Sequence, residues 1–243
     1  MAERARYGID GGYAGILVFV LAETGLALAG WRAARRRKPA VGIVAGIAGI
    51  AVLGSAASYC YSTGPGKLSV WRELLDELHL RGDEQVLDVG CGRGAVLVSA
   101  ALRLPAGRVT GADIWRLRDQ TGNSRAMTER NAAAEGVSDR TDIVDADARD
   151  LPFPSESFDL VLSSLAFDNI SDAEERAKAL REAVRVLRPG GRLRIVDDRA
   201  DPYADVIREA GCPDTVLRRL DWRTWYGLPG HHMTLVAATK RAA

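Results

Sequence analysis

The chain has 243 residues, 27% of them charged and 47% hydrophobic, with a formal net charge of +1. That length holds one α/β domain of ordinary size plus an appendage, and the even charge argues against the basic surface on which nucleic-acid binding rests. Cys60, Cys91 and Cys212 are scattered, with no CxxC and no Cys/His cluster at zinc spacing. Neither a metal site nor a disulfide framework is therefore expected, and a reducing compartment fits.

Two apolar stretches come first, 13–31 and 41–61, each about the length that crosses a bilayer as a helix. The second carries no charge and is rich in Gly and Ala, with Gly42 and Gly46 in the GxxxG spacing that lets helices approach closely. So many glycines weaken a helix in water but are common in membranes. The first carries Glu23 and Thr24 at its middle, which makes it the weaker span. The expectation is a membrane-associated helical hairpin over 1–62 and a second domain over 63–243, with the composition shift at 62–66. Two blander readings compete: a signal peptide, with Arg4 and Arg6 ahead of the apolar run, and a buried hairpin of a soluble protein.

Beyond residue 67 the pattern alternates. Apolar positions at Leu68, Trp71, Leu74, Leu75 and Leu78 predict an amphipathic helix over 68–80. Strands are expected at 85–89, 108–113, 141–145, 158–163, 192–197, 215–220 and 233–239. Helices are expected at 95–104, 124–135 (capped by Asn123 or Ser124), 172–187 and 203–210, with Pro189-Gly190-Gly191 as a stop after 187. This alternation predicts a Rossmann-like α/β fold, a mostly parallel sheet with helices on both faces.

Chemistry concentrates in Val86-Leu87-Asp88-Val89-Gly90-Cys91-Gly92-Arg93-Gly94, where an apolar strand enters a glycine-rich turn that opens a helix. The glycines let a ligand lie against the backbone, and amides at the helix start can face a carboxylate. Asp88 can accept hydrogen bonds from an ammonium group, so a ligand with both an amino and a carboxylate group fits. Asp113, at the end of the next strand, is placed to grip ribose hydroxyls. Its blander role is a turn or cap residue. These two features alone suit a nicotinamide enzyme as well.

The runs VLDVGCGRG, GADIW, DARDLPF, FDLVLSSLA and RVLRPGGRLRIVD, in this order and spacing, resemble the class I S-adenosylmethionine (SAM)-dependent methyltransferases over nearly all of 67–239. Tyr7-Gly8-Ile9-Asp10, the apolar hairpin and the run 113–124 (DIW…DQTGNS) resemble one bacterial subgroup. The resemblance implies SAM as cofactor. Asp88, Gly90, Cys91, Gly92 and Gly94 would hold its methionine end, Asp113 the ribose, Ile114 and Trp115 the adenine. Asp147, followed by Ala148, would accept the adenine amino group, and Ser163 would border the methionine moiety. Gln120, Gly122 and Asn123 lie in a loop that could cover the cofactor, or serve as turn formers.

The segment 164–170 should face the acceptor, and here Asp168 stands where the subgroup carries histidine. A carboxylate is a weaker base unless burial raises its pKa. The resemblance leaves Asp168 as the candidate catalytic group, a binder of a cationic acceptor, or a cap on a turn or helix. Methyl transfer otherwise asks the protein only to align donor and acceptor and to exclude water, so no triad or metal is expected. His231 and His232, after Gly227-Leu228-Pro229-Gly230, open a closing strand expected on the far side of the sheet, and His79 sits on the helix before the first strand. A solvated or hydrogen-bonded role suits each better than substrate contact. Trp222, Trp225 and Tyr226 wall an apolar pocket or pack a core.

The implied function is methyl transfer to a small or lipophilic acceptor at the membrane surface, with the catalytic domain in the cytosol. Its rivals are another SAM-fold transferase or cyclase, and a membrane-anchored SAM-binding module without catalysis. Topology carries a conflict. Arg32, Arg35, Arg36, Arg37 and Lys38 lie between the two stretches, and the positive-inside rule would keep them cytoplasmic, sending the domain outside, where SAM is scarce. Either the hairpin does not fully span, or Arg4, Arg6, Lys67 and Arg72 at its other end offset the run.

Overall fold

The computed structural model describes residues 5–227 and 231–242; Arg4 and Leu228-Pro229-Gly230 lie outside them. Two long helices, α1 (Gly12–Arg35) and α2 (Pro39–Tyr61), form the hairpin. A π-helical turn at Ser62–Gly66 carries α2 directly into α3 (Lys67–Asp76), so helix rather than linker crosses the composition shift. Then follow β1 (Gln85–Val89), α4 (Ala95–Ala101), β2 (Arg108–Asp113), α5 (Arg125–Ala134), β3 (Thr141–Asp145) and β4 (Phe158–Ser164). The chain closes with α6 (Ala173–Arg185), β5 (Leu187–Asp198), α7 (Tyr203–Glu209), β6 (Val216–Arg219) and β7 (Met233–Thr239).

The strands make one sheet in the order β3-β2-β1-β4-β5-β7-β6, parallel except for β7, which runs antiparallel to both neighbours. One face is covered by α3 and α4, whose Trp71, Leu75 and Leu97 pack against the sheet. The other is covered by α6 and α7, with Leu180, Ala183 and Ile207 against Leu187 and Leu193. The order changes direction at β1, whose neighbours are β2 and β4. Open α/β sheets leave a crevice at the carboxyl ends of such strands.

Most predicted elements are present, with two instructive differences. The first predicted helix stops at Asp76, because His79 adopts a left-handed φ of 46° that ends helical pairing. Helix α6 stops at Arg185, and β5 starts at Leu187 and runs through Pro189-Gly190-Gly191 instead of after it. The stop signal is absorbed as an irregularity: register shifts between Phe158 and Leu160, and the chain beyond β7 pairs across it, Gly190 N to Lys240 O at 2.9 Å and Lys240 N to Gly191 O at 2.8 Å. Of the two candidate caps on α5, Ser124 is the one whose side chain accepts from the helix, from Met127 N.

The hairpin is not a core element. Only 6% of the apolar window of α1 and 11% of that of α2 with its extension is buried, and Leu21, Ile43, Val44, Ile47 and Ile50 are exposed. Both helices are long and apolar enough to cross a membrane. Among the described residues, the foot of the hairpin, the start of α1 and the end of α2, meets the sheet domain. There Ser58 Oγ and Ser62 Oγ donate to Trp225 O at 2.7 and 2.8 Å, and Tyr61 stacks on Trp222.

Candidate active site

A cavity of about 540 Å³ opens at the carboxyl ends of β1, β2 and β4. Asp88, Gly90, Cys91, Gly92, Asp113, Ile114, Asp147 and Ala148, all expected from the sequence, line it. Gly94, Trp115 and Ser163, also expected, do not. Gly94 shapes the turn from behind, as the left-handed N-cap of α4 at φ 83°. Trp115 has φ 59°, which swings its ring toward the sheet edge, where Nε1 donates to Asp145 at 2.7 Å. Ser163 is buried with its hydroxyl unpartnered; strand alternation gives its neighbour Ser164 the cavity side.

Asp88 sits at the end of β1 with only 1% of its surface exposed, and neither carboxylate oxygen has a hydrogen-bond partner among the described residues. Burial pushes its pKa up to about 8, and the nearby Asp113 charge adds to the rise. The Leu97 amide and the Lys67 ammonium moderate it without hydrogen-bonding to either oxygen. An unpaired buried carboxyl group is costly, and a cationic ligand satisfies it. Above it, Gly90 takes φ 70°, and a Cβ there would come within 2.2 Å of Ala166 Cβ, so only glycine leaves the turn open.

Asp113 is pre-oriented: Oδ2 accepts from Gly92 N at 2.8 Å and Oδ1 from Trp115 N at 2.6 Å. Asn123 Nδ2 also donates to Oδ1, at 3.4 Å, so Oδ2 is the oxygen that keeps a lone pair for a ligand hydroxyl. Asp147 is clamped by Arg149 at 2.5 Å, and that bond holds its carboxyl below the usual range. Burial pushes the Cys91 thiol up, away from nucleophilic reactivity. The loop residues Gln120 and Asn123 reach the cavity and Gly122 does not. Gln120 Oε1 accepts from Arg93 N at 2.8 Å, and Asn123 Oδ1 is buried and unpartnered.

The acceptor end is more acidic than the sequence suggested. Asp168 lines the cavity and caps no helix, since Asp172 caps α6 by accepting from Glu175 N. Burial raises the Asp168 carboxyl above the ordinary range, and the Asp198 charge raises it further. Its carboxyl is hydrogen-bonded to that of Asp197, which is fully buried and pushed well above the usual range by burial and by Asp168. Burial thus raises both carboxyls, Asp197 the more strongly, and Asp168 faces the cavity as a group of raised basicity. Asp197 Oδ2 also accepts from Phe167 N and Asp168 N, both at 3.1 Å, which fixes the loop.

Two groups escaped the sequence analysis or were placed wrongly by it. His231 lines the cavity instead of lying on the far side of the sheet, because β7 is antiparallel and its start returns to the carboxyl edge of β5. The second group is the hairpin foot. Asp10, Gly11, Gly15, Tyr59 and Lys67 all line the cavity. Asp10 is a hub: Lys67 Nζ lies 2.7 Å from Oδ1, Tyr226 Oη donates to Oδ2 at 2.9 Å, Gln120 Nε2 donates to Oδ1 at 3.2 Å, and Tyr59 Oη donates to its carbonyl. Thr121 N donates to Ile9 O at 3.0 Å, so the YGID run pairs with the DQTGNS loop. Lys67 is thus neutralised in a buried pair and supplies no free positive charge at the hairpin foot. Tyr226 belongs to this network, whereas Trp222 is mostly exposed, and His79 lies outside the cavity.

Residues 87–195 match the family model for the methyltransferase domain. The chain is 33% identical over 153 residues to the methyltransferase GfsG of Streptomyces halstedii, an alignment covering 61% of this chain and 51% of the relative. It is 34% identical over 145 residues to a demethylmenaquinone methyltransferase of Symbiobacterium thermophilum, covering 59% and 54%. The chain thus spans about half the length of these curated relatives. Among solved structures, the [4+2]-cyclase SpnF superposes with a TM-score of 0.58 at 21% identity, over 71% of this chain and 82% of that one, a likeness of fold.

Proposed function

We propose that this chain, whose residues 87–195 belong to the class I SAM-dependent methyltransferases, transfers a methyl group from SAM to a small lipophilic acceptor at a membrane surface. The observation that carries the reading is Asp88, a fully buried carboxyl without a hydrogen-bond partner among the described residues, beside a glycine turn. Asp88 would take the ammonium of the methionine end, and the Gly90–Gly92 backbone would lie against it. Asp113 would hold the ribose hydroxyls, Ile114 would cover one adenine face, and Asp147 with Ala148 would meet the adenine edge. The bound cofactor supplies a methyl carbon activated on a sulfonium. The protein supplies alignment, exclusion of water, and acidic groups at the acceptor end, Asp168 foremost.

The lipophilic acceptor and the membrane are supported by the exposed apolar hairpin and by its foot walling the same cavity. A demethylmenaquinone methyltransferase among the relatives points the same way. The catalytic domain would face the cytoplasm, where SAM is made.

A second reading, a membrane-anchored SAM-binding module without catalysis, is favoured by Asp168 standing where the resembling subgroup carries histidine. Calorimetric titration of the detergent-solubilised protein with SAM tests the first step. Micromolar binding that Asp88→Ala abolishes is expected, and well-folded protein that binds no SAM sinks the proposal. Formation of S-adenosylhomocysteine with a quinol or phenol acceptor then separates enzyme from binder. Activity appearing only in Asp168→His would favour the binder. Flotation of the full chain with anionic lipid vesicles tests the membrane: protein left at the bottom of the gradient removes that part.

A further inference from the structure

The carboxyl edge of β5 and the start of β7 carry groups with no part in cofactor binding. His231 Nδ1 lies 2.6 Å from Asp198 Oδ2, and His231 Nε2 lies 3.3 Å from the guanidinium of Arg199. A guanidinium has donors and no lone pair, so Nε2 meets it as an acceptor and the ring proton sits on Nδ1, donated to Asp198. This is the tautomer a general base needs, with its free lone pair on the outer nitrogen and a carboxylate behind the inner one. Both residues line the cavity, together with Asp168. A mere staple between strands is redundant here, since β5 and β7 are already in register from Arg192↔Thr239 to Asp198↔Met233. Asp198 Oδ1 is buried without a partner among the described residues, leaving capacity for one more donor.

Resting on the methyltransferase reading above, we propose that His231 is the general base of this site, held by Asp198 as its positioning residue, and that the acceptor is a neutral hydroxyl compound of the phenol or enol class, methylated on oxygen. Asp119 is paired with Arg118 at 3.4 Å, whereas Asp168 and Asp198 line the cavity beside His231. That charge disfavours acceptors that arrive as anions and suits a hydroxyl that loses its proton only to the imidazole. Arg199, 71% exposed at its side chain, yields the Nε2 position to the hydroxyl. The hydroxyl proton passes to Nε2, and the oxygen electron pair forms the new bond to the methyl carbon. The carbon–sulfur pair stays on sulfur, giving the thioether and a neutral methyl ether. The imidazolium is stabilised by Asp198 until the proton leaves to water.

The test reads deprotonation without turnover. Full-length protein in detergent, saturated with S-adenosylhomocysteine, is titrated with 4-nitrophenol at a pH below the probe's own ionisation, and the absorbance of the phenolate is followed. The wild type is expected to take up the probe as phenolate. His231→Gln should take it up as neutral phenol, and in turnover should lose about 10²–10⁴-fold in rate, the usual worth of a positioned base. Asp198→Asn, which keeps the imidazole but not its tautomer, should cut the phenolate fraction severalfold. If His231→Gln loses uptake altogether, the Asp198→Asn spectrum decides: a reduced phenolate fraction supports the dyad and an unchanged one overturns it. The proposal is also overturned if wild type holding S-adenosylhomocysteine leaves the probe neutral or unbound, or if His231→Gln keeps the phenolate band. A protein that calorimetry shows not to bind S-adenosylhomocysteine fails earlier, at the methyltransferase reading itself.

Discussion

The two ends of the cavity are built by different means. The β1–β2 end is local: one strand, one glycine turn and one helix start fix Asp88, Gly90 and Gly92 within five residues of chain, and Asp113 locks onto Gly92 N. The opposite end is assembled from parts far apart in sequence. Asp10 comes from the strap before α1, Lys67 from the start of α3, Asp168 from the loop after β4, Asp198 from β5, and Tyr226 and His231 from positions ahead of β7. Short-range construction gives a site that many relatives can share. Long-range construction lets the acceptor end vary without disturbing the cofactor end.

The largest expected effect attacks the long-range end. Lys67→Met leaves Asp10 as a buried charge without its ammonium, a change that costs about 3–5 kcal/mol when a buried pair loses one partner. Thermal melting in detergent should show a clear drop, and pairing it with Asp10→Asn should recover most of it. If the single variant melts like wild type, the hairpin foot is a passenger and the cavity does not depend on it.

Next comes the short-range end. Asp88→Ala should weaken SAM binding by about 10²–10³-fold, as expected for losing a buried charge-assisted contact. Its titration gives the sign of the pH dependence. With its pKa raised to about 8, Asp88 is protonated at neutral pH in the ligand-free cavity and must release that proton to meet an ammonium. Affinity should therefore climb with pH, by about tenfold per unit at most, and flatten near 8. The same shift lowers ligand-free stability as pH rises from the ordinary carboxylate range through about 8. Asp88→Asn removes that loss, so it should melt higher than wild type at pH about 8 while binding SAM poorly. A wild-type affinity that does not vary with pH would contradict the raised pKa.

This asymmetry also explains how much the sequence disclosed. Strand, turn and helix signals around Asp88 and Asp113 depend on local backbone chemistry, and the sheet follows from alternation of elements. The acceptor end could not be read the same way. His231 seemed remote because the direction of β7 is set by pairing with β5. The apposition of Asp10 and Lys67 needs the hairpin to fold back over 57 residues. The run of Pro189-Gly190-Gly191 reads as a stop, yet the tail after β7 supplies the hydrogen bonds that let β5 continue through it. Trp115 and Ser163 are kept out of the cavity lining by a single torsion and a single step of strand alternation.

A smaller effect is expected at Asp168. Asp168→Asn keeps the size and removes the charge, and should slow turnover by about ten- to a hundredfold through lost acceptor-end electrostatics. SAM affinity should stay within about twofold, because additivity holds for sites without shared partners. A drop in cofactor affinity instead would mean that the two ends are not separable. Kinetics with varied acceptor, set beside calorimetry with SAM, distinguish these outcomes.

The smallest expected effect tests the boundary between the two ends. Trp115 borders the cofactor loop in sequence but points to the sheet edge, where it donates to Asp145. Trp115→Phe removes that donor and should cost about 1 kcal/mol of stability, the usual net worth of one hydrogen bond. Cofactor affinity should hardly move, since the ring lines no part of the cavity. Melting and calorimetry on one sample separate the two readouts. A large loss of affinity would mean that the ring turns inward when SAM binds, exchanging the Asp145 bond for adenine contact. The cofactor end would then be less preformed than its local construction implies, and the contrast between the two ends would weaken accordingly.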